Sequence, residues 1–419
     1  MTRKILAFAV AAAMTAPMAA HADVKLSGTI QAEAGGAQLG RVSENEKSDR
    51  LRLTRDSQGA LHNGGPNNIT IDVDEDLGSF SAIARYQVAF DTAVNSGLGD
   101  GKEAWLGLKS DNGIWFKFGT LTSAYKASKG LIDPFAGTSI QARGSAGGMS
   151  GSKYNAVERS GTMIAADGKL HNIAGSTLAT QSTVNFGLTH SSYIKNALEL
   201  GGDFNGFSAK FQGFFDETDI LEGGGSLELR YTDPGSMFTV FAAASYTDLK
   251  DLTNKVSVDR EERNQTADGL KNWKVGGQFN MAGLKLGLQF EDAEMGTLDG
   301  GVLEMYDLQT CTNDANSICG VGGNEDGGKY LIGSVDYQVP NTGLLIGGWV
   351  AGYKSDIDDN ARFVDSKGNY IDEDAISFAV GAKYLFSKRT LVYGGYLQVD
   401  SDNDFRDESV FGVGLRHSF

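Results

Sequence analysis

Apolar and polar residues alternate along much of this chain with a period of two. Residues 409–419 read SVFGVGLRHSF: Phe411, Val413, Leu415 and Phe419 fall on one face of an extended strand, Gly412, Gly414, Arg416 and Ser418 on the other. No turn signal interrupts the pattern before the final carboxylate. Near the other end, in VKLSGTIQAEA, Leu26, Gly28, Ile30 and Ala32 alternate with Lys25, Ser27, Thr29, Gln31 and Glu33. A terminal strand in an open sheet leaves an edge that must be covered. Two terminal strands of matching pattern predict a different solution, in which they pair and close a barrel.

The alternation is cleanest in one hairpin. Trp273, Val275, Phe279 and Met281 oppose Lys274, Gln278 and Asn280; after Ala282-Gly283, Leu284, Leu286, Leu288 and Phe290 oppose Lys285, Gln289 and Glu291. A soluble sheet can alternate in the same way, so one hairpin does not fix the environment. The connections are more informative. Short ones fall at Asp76-Leu77-Gly78-Ser79, Asp111-Asn112-Gly113, Phe204-Asn205-Gly206, Asp233-Pro234-Gly235-Ser236, Ala282-Gly283, Pro340-Asn341-Thr342-Gly343 and Ser387-Lys388. Between them lie long polar stretches at about 35–66, 92–101, 122–195, 216–223, 247–271, 295–328, 355–374 and 401–408. Short turns at one end and long loops at the other are the plan of an outer-membrane barrel. Seven short and eight long connections give 16 strands, with both termini on the short-turn side. The expected fold is therefore all-β, a transmembrane antiparallel barrel. Aromatics near strand ends, such as Trp105, Trp115, Tyr353 and Tyr384, suit interfacial girdles, although ordinary β-propensity places aromatics in strands too.

Composition adds an address. Arg3 and Lys4 precede an apolar run over residues 5–20, and Ala20-His21-Ala22 offers a small-residue cleavage site. This predicts a secretory signal peptide over residues 1–22, with one barrel domain over 23–419. No other stretch approaches the roughly 18 apolar residues of a spanning helix. With 5 prolines, 56 glycines and no linker-like tract, one large β structure fits better than several domains. The formal charge is −16, and loss of the two positive charges of Arg3 and Lys4 makes it −18. Such acidity argues against nucleic acid as a partner. Cys311 and Cys319 share one polar loop, and export to an oxidising compartment predicts that they are bridged.

Several stretches resemble the general diffusion porins of Gram-negative bacteria, of the proteobacterial type that includes the neisserial porins. Glu75-Asp76-Leu77-Gly78 resembles the acidic first turn of that family. KEAWLGLK at 102–109 and WFKFGTLTSAYK at 115–126 resemble its fourth and fifth strands. FNGFSAKFQ at 204–212 and YLFSKRTLVYGGY at 384–396 resemble later hairpins, and GVGLRHSF resembles the C-terminal strand. The similarity spans nearly the whole chain after the signal.

That resemblance implies a water-filled channel for passive diffusion of small hydrophilic solutes and ions, without cofactor. It implies a homotrimer in the outer membrane, in contact with the lipid bilayer and lipopolysaccharide. It also implies that the terminal Phe419 is the signal read by the barrel-assembly machinery. The third long loop would fold into the lumen as a constriction, bringing Asp133, Arg143, Glu158 and Arg159 with it; an apparent insertion at about 162–182 leaves open which of them reach the narrowest point. A basic wall would face that loop, and alternation offers Arg85, Lys102 and Lys117 for it. Two basic positions are missing: Asp72 stands where the family usually has Arg or Lys, and Thr120 where it commonly has Arg. Asp72 and Asp74 share a face with Thr70, opposite Ile69, Ile71 and Val73, and so should point inward. Wall carboxylates lie within a Debye length of the permeating ion, which predicts a weak cation preference.

Other chemistries find less support. Beyond the signal, His62, His171, His190 and His417 are isolated, and His190 beside Ser191 and Ser192 has no third member at a defined spacing. The acidic run from Asp356 starts like a calcium loop, but Ala361 replaces the required glycine and Lys367 takes the twelfth position. An adhesin-like barrel would have a plugged lumen, whereas inward residues such as Lys210, Gln212, Glu228 and Arg230 suit water. A substrate-selective channel, such as one for phosphate, would carry an arginine ladder that this chain lacks.

Overall fold

The two end strands meet. In a computed structural model, β1 (Ala22–Leu39) and β21 (Glu408–Ser418) pair antiparallel from Thr29 opposite Ser418 to Leu39 opposite Glu408. Phe419 extends this ladder, donating its N–H to the Gly28 carbonyl at 3.1 Å and accepting from the Gly28 N–H at 3.2 Å. The structure describes residues 22–39, 48–54, 67–90, 92, 98–126, 129–142, 162–164, 170–172, 193–215, 221–249, 252–254, 263–265, 270–294, 327–355, 374–401 and 408–419.

From β1 the wall continues through β2 (Ser48–Thr54) and β3 (Asn68–Asp76), then β4 (Phe80–Phe90), β5 (Leu98–Ser110) and β6 (Ile114–Thr122). Next come β9 (Tyr193–Phe204), β10 (Phe207–Phe214), β11 (Leu221–Thr232) and β12 (Phe238–Leu249). The circuit ends with β15 (Leu270–Met281), β16 (Leu284–Glu294), β17 (Gly327–Gln338), β18 (Leu344–Ser355), β19 (Ala375–Leu385), β20 (Thr390–Ser401) and β21. The sheet holds 17 strands because one wall position is divided: β2 pairs with the upper half of β1 and β3 with the lower half. Taken together, β2 and β3 fill one place, and the barrel has 16. All seven short turns fall where the sequence puts them.

The first long connection differs from expectation. Residues 35–39 continue β1 and residues 48–54 form β2, so the alternation there belongs to the wall and not to a loop. Where the partner strand is interrupted, the Asn67 side chain takes its place. Its Oδ1 accepts from the Gln31 N–H and its Nδ2 donates to the Gln31 carbonyl, the pair of bonds a neighbouring strand would have made. Two small hairpins also lie within the third and fifth long connections: β7 (Thr162–Ile164) with β8 (Leu170–Asn172), and β13 (Leu252–Asn254) with β14 (Arg263–Gln265).

Alternation sorts the two faces. Leu26, Leu106, Phe118, Leu288, Val350, Ile376 and Val413 point away from the barrel and are each more than half exposed. Such a belt is costly in water and favourable in lipid. Among the described residues no helix is long and apolar enough to cross a membrane, and the strands do so instead. Tight reversals set the register. Asn205-Gly206 and Ala282-Gly283 both have positive φ at the two central positions, the geometry of a primed hairpin turn.

Candidate permeation pathway

After β6 the chain turns into the barrel. Residues 123–126, the short helix α1 (Lys129–Ile132) and residues 133–142 cross the interior and are pinned on several sides. At the near end, Gln212 Oε1 accepts from the Ala124 N–H at 2.7 Å and Gln212 Nε2 donates to the Thr122 carbonyl at 2.9 Å. Tyr125 donates to Glu291 Oε1 at 2.6 Å. Burial first, and then the negative charge of Glu291, hold the Tyr125 phenol well above its ordinary range, so it remains a donor. Further along, Gln278 donates to the Leu131 carbonyl at 2.8 Å and Trp349 Nε1 to the Ile140 carbonyl at 3.1 Å. At the far end the Ser139 N–H donates to Glu33 Oε1 at 2.9 Å, and Gln31 and Arg416 donate to the Gly137 carbonyl at 2.8 and 3.0 Å.

Glycines make the seat for this segment. Gly347, Gly381, Gly395, Gly412 and Gly35 stand directly opposite one another on five successive strands, β18, β19, β20, β21 and β1. A Cβ on Gly395 would lie 2.4 Å from Ile140 Cδ1 and 2.6 Å from the Val380 carbonyl oxygen. One on Gly381 would lie 3.0 Å from Phe135 Cζ and 2.5 Å from the Gly394 oxygen, and one on Gly412 would collide with Ser139 Oγ. The row forms a shallow trough, and the loop fills it with Phe135, Ser139 and Ile140. These three residues are almost wholly buried.

The wall that continues from this seat, from β3 to β9, carries charge. Arg85 Nε meets Asp72 Oδ1 at 2.7 Å and Arg85 Nη1 meets Glu103 Oε2 at 3.1 Å, with Lys25 opposite Asp72 in register. Glu103 Oε1 also accepts from Thr122, from its hydroxyl at 2.7 Å and its N–H at 3.3 Å. Lys117 pairs with Glu199 at 3.0 Å, and the same carboxylate accepts from Trp115 Nε1 at 2.7 Å. Trp105 lies between the two cations, 5.8 Å from Arg85 Cζ and 4.7 Å from Lys117 Nζ, measured to its ring centroid. Further round, Glu228 takes Lys210 at 2.9 Å and also Arg230, and Asp336 takes Lys383 at 3.4 Å.

Of the residues singled out in the sequence, Asp72, Arg85 and Lys117 are brought together on this wall. Asp74 is in phase with Asp72, exposed, and opposite Asp23. Lys102 is displaced: a bulge pairs Gln87 with Glu103 and Val88 with Gly101, so Lys102 drops out of the alternation and its Nζ lies 3.5 Å from the Asn67 carbonyl. Glu103, in regular register opposite Gln87, is the residue beside Arg85. Thr120 stands opposite Ala104, in phase with the outward Phe116 and Phe118, so a basic residue there would not have lined this wall. Asp133 is nearly buried, with one oxygen accepting from the Phe135 N–H and the other from the Ala142 N–H, each at 2.8 Å. Its charge closes the loop upon itself. Arg143, Glu158, Arg159, Cys311 and Cys319 lie outside the described residues. Phe419 packs its ring against Gly28, where a Cβ would come within 2.6 Å.

Sequence reasoning missed Glu33, Glu103, Glu199 and the glycine row. Glu103 was legible as a member of the Glu103-Trp105-Gly107 face, but its place beside Arg85 follows only once the register of β4 against β5 is known. The glycine row would have shown itself only once the register of five strands was known.

A closed barrel with a lipid-facing belt, a charged interior and a loop seated within it is an outer-membrane channel. Residues 9–404 match the family described as Gram-negative porin, and the chain belongs to that family. Among solved structures it is similar to a loop L8 deletion mutant of OmpT, an outer membrane protein of Vibrio cholerae. That likeness has 16% identity and a TM-score of 0.53, over 95% of this chain and 99% of that one. The trimer form of in-vitro folded OmpT from the same organism gives 14% identity and a TM-score of 0.53, over 95% of this chain and 99% of that one. At such identities the likeness is one of fold. No curated protein matches the sequence.

Proposed function

We propose that the barrel is a passive diffusion channel for small hydrophilic solutes and ions, with a weak preference for cations. The observation that carries this reading is the charged wall beside the seat, where the Asp72–Arg85–Glu103 cluster sets two carboxylates against one guanidinium. A permeating ion passes within a Debye length of that wall, about 8 Å at physiological salt, whereas charge on outer loops is largely screened. The preference is weak because Lys25 stands beside the cluster and the Glu228 site holds two cations to one carboxylate. Non-selective conduction predicts a single-channel conductance that rises linearly with bulk salt conductivity, and sugar fluxes that fall smoothly with solute size in liposome swelling. Saturating conductance, or a sugar admitted out of order of size, contradicts it.

The same reading makes the protein a homotrimer, supported by its lipid-facing apolar belt and by the trimer form of the similar OmpT. Residues 1–22 act as a removed signal peptide, Phe419 is read by the assembly machinery, and the exterior contacts lipid and lipopolysaccharide. Cys311 and Cys319 form a disulfide in the sixth long loop, so mass spectrometry of unreduced peptides should show no free thiols.

A further inference from the structure

We propose that Glu103 is the specificity-determining residue of this wall, and that it does two separable things. Its Oε2 neutralises Arg85, and its Oε1 fixes Thr122, the last residue of β6 before the chain turns into the lumen. Glu103 is nearly buried, while the Arg85 side chain beside it is 36% exposed. Water therefore meets a guanidinium whose charge is already met from one side by Asp72 and from the other by Glu103. Loss of the glutamate charge leaves Arg85 with Asp72 alone, and Lys25 then tips the local balance positive.

Thr122 is held from both flanks. Glu103 accepts its hydroxyl and N–H, and Gln212, itself bonded to Glu199 at 2.7 Å, donates to its carbonyl. Glu103 stands opposite Gln87 in the same register that sets Trp105 opposite Arg85, and the shift in pairing falls only beyond it, between Gln87 and Val88. One carboxylate thus couples the sign of the wall to the root of the loop that narrows the lumen. This inference rests on the channel reading but not on its cation preference, because it concerns a change relative to the unaltered protein.

Three variants separate the two roles in bilayer recordings of the assembled full-length protein. Glu103→Gln keeps an acceptor for Thr122 and removes the charge; the ratio of potassium to chloride permeability should fall about twofold, with conductance near that of the unaltered channel. Thr122→Val keeps the charge and removes the hydroxyl; permeability ratio should hold while current noise and the spread of conductance levels rise. Glu103→Asp keeps the charge but sets it back by one methylene, so its ratio should fall less than that of Glu103→Gln, which separates loss of charge from a folding defect. An unchanged ratio in Glu103→Gln overturns the proposal, as does an equal shift in Thr122→Val. Channels with no conductance in any condition would instead defeat the underlying reading of function.

Discussion

The wall from β18 round to β1 and the wall from β3 to β9 share one alternation, yet they use their inward positions in opposite ways. The first removes side chains: a glycine on each of five strands at one level, with the loop's Phe135, Ser139 and Ile140 pressed into the space. The second extends long charged side chains and pairs them strand to strand, as in Asp72 with Arg85 and Lys117 with Glu199. A seat built from absent side chains holds by shape, and overfilling it meets backbone that cannot yield. A wall of partly exposed ion pairs contributes little to stability, and its value lies in the field it sets in the water beside it. On the proposed reading, shape holds the loop in the lumen and charge biases which ions cross.

The strongest way to break the contrast is to fill the seat. Gly395→Val puts carbon where Ile140 and the Val380 carbonyl already are, and overpacking of this kind costs about 1–3 kcal/mol. The barrel should unfold at lower temperature in detergent, and the surviving channels should show raised, variable conductance. Gly333→Val is the matched control, since a Cβ there meets nothing within 4 Å. A smaller effect follows from Glu33→Ala, which removes the acceptor of the Ser139 N–H and leaves a buried donor unmet, at about 1–3 kcal/mol. Conductance steps from a loosened loop should appear without a change in ion preference. The least change in folded stability belongs to deletion of Phe419. Even full burial of one such ring is worth only about 2 kcal/mol, and Phe419 is 38% exposed. Its loss should lower outer-membrane levels far more than it lowers the melting temperature of purified barrel, and unaltered levels would count against it.

The two walls were unequally legible in the sequence. Strand identity, the short turns and closure of β1 on β21 followed from alternation and turn chemistry, which are local. The extension of β1 past residue 35 is not legible because Gly35-Gly36-Ala37 has no side-chain contrast to read. Asp72 and Arg85 were legible as inward residues because strict alternation holds across β3 and β4. Lys102 and Thr120 both lie where strict pairing stops, the first in a bulge of β5 and the second beside the irregularity that separates Gly119 from Leu121 in β6, so alternation alone does not orient them. Asp133 looked like a lumen charge, but a carboxylate followed by Pro134-Phe135 also bonds N–H groups of its own turn, and that is the use it has here. The seat was hidden because each glycine is unremarkable in its own strand and only the joint register makes a trough.

Reversal potentials in a KCl gradient, recorded for the unaltered channel, for Asp72→Lys and for Asp358→Lys, test the account most directly. Asp358 falls in the long connection between β18 and β19 in the sequence, outside the described residues. The account predicts a small potential of cation-preferring sign for the unaltered channel. Asp72→Lys sets a third cation beside Arg85 and Lys25 and should move the potential clearly toward anions, by several times the shift from Asp358→Lys. An anion-preferring unaltered channel, or equal shifts from the two substitutions, would contradict the claim that the charged wall from β3 to β9 governs selectivity.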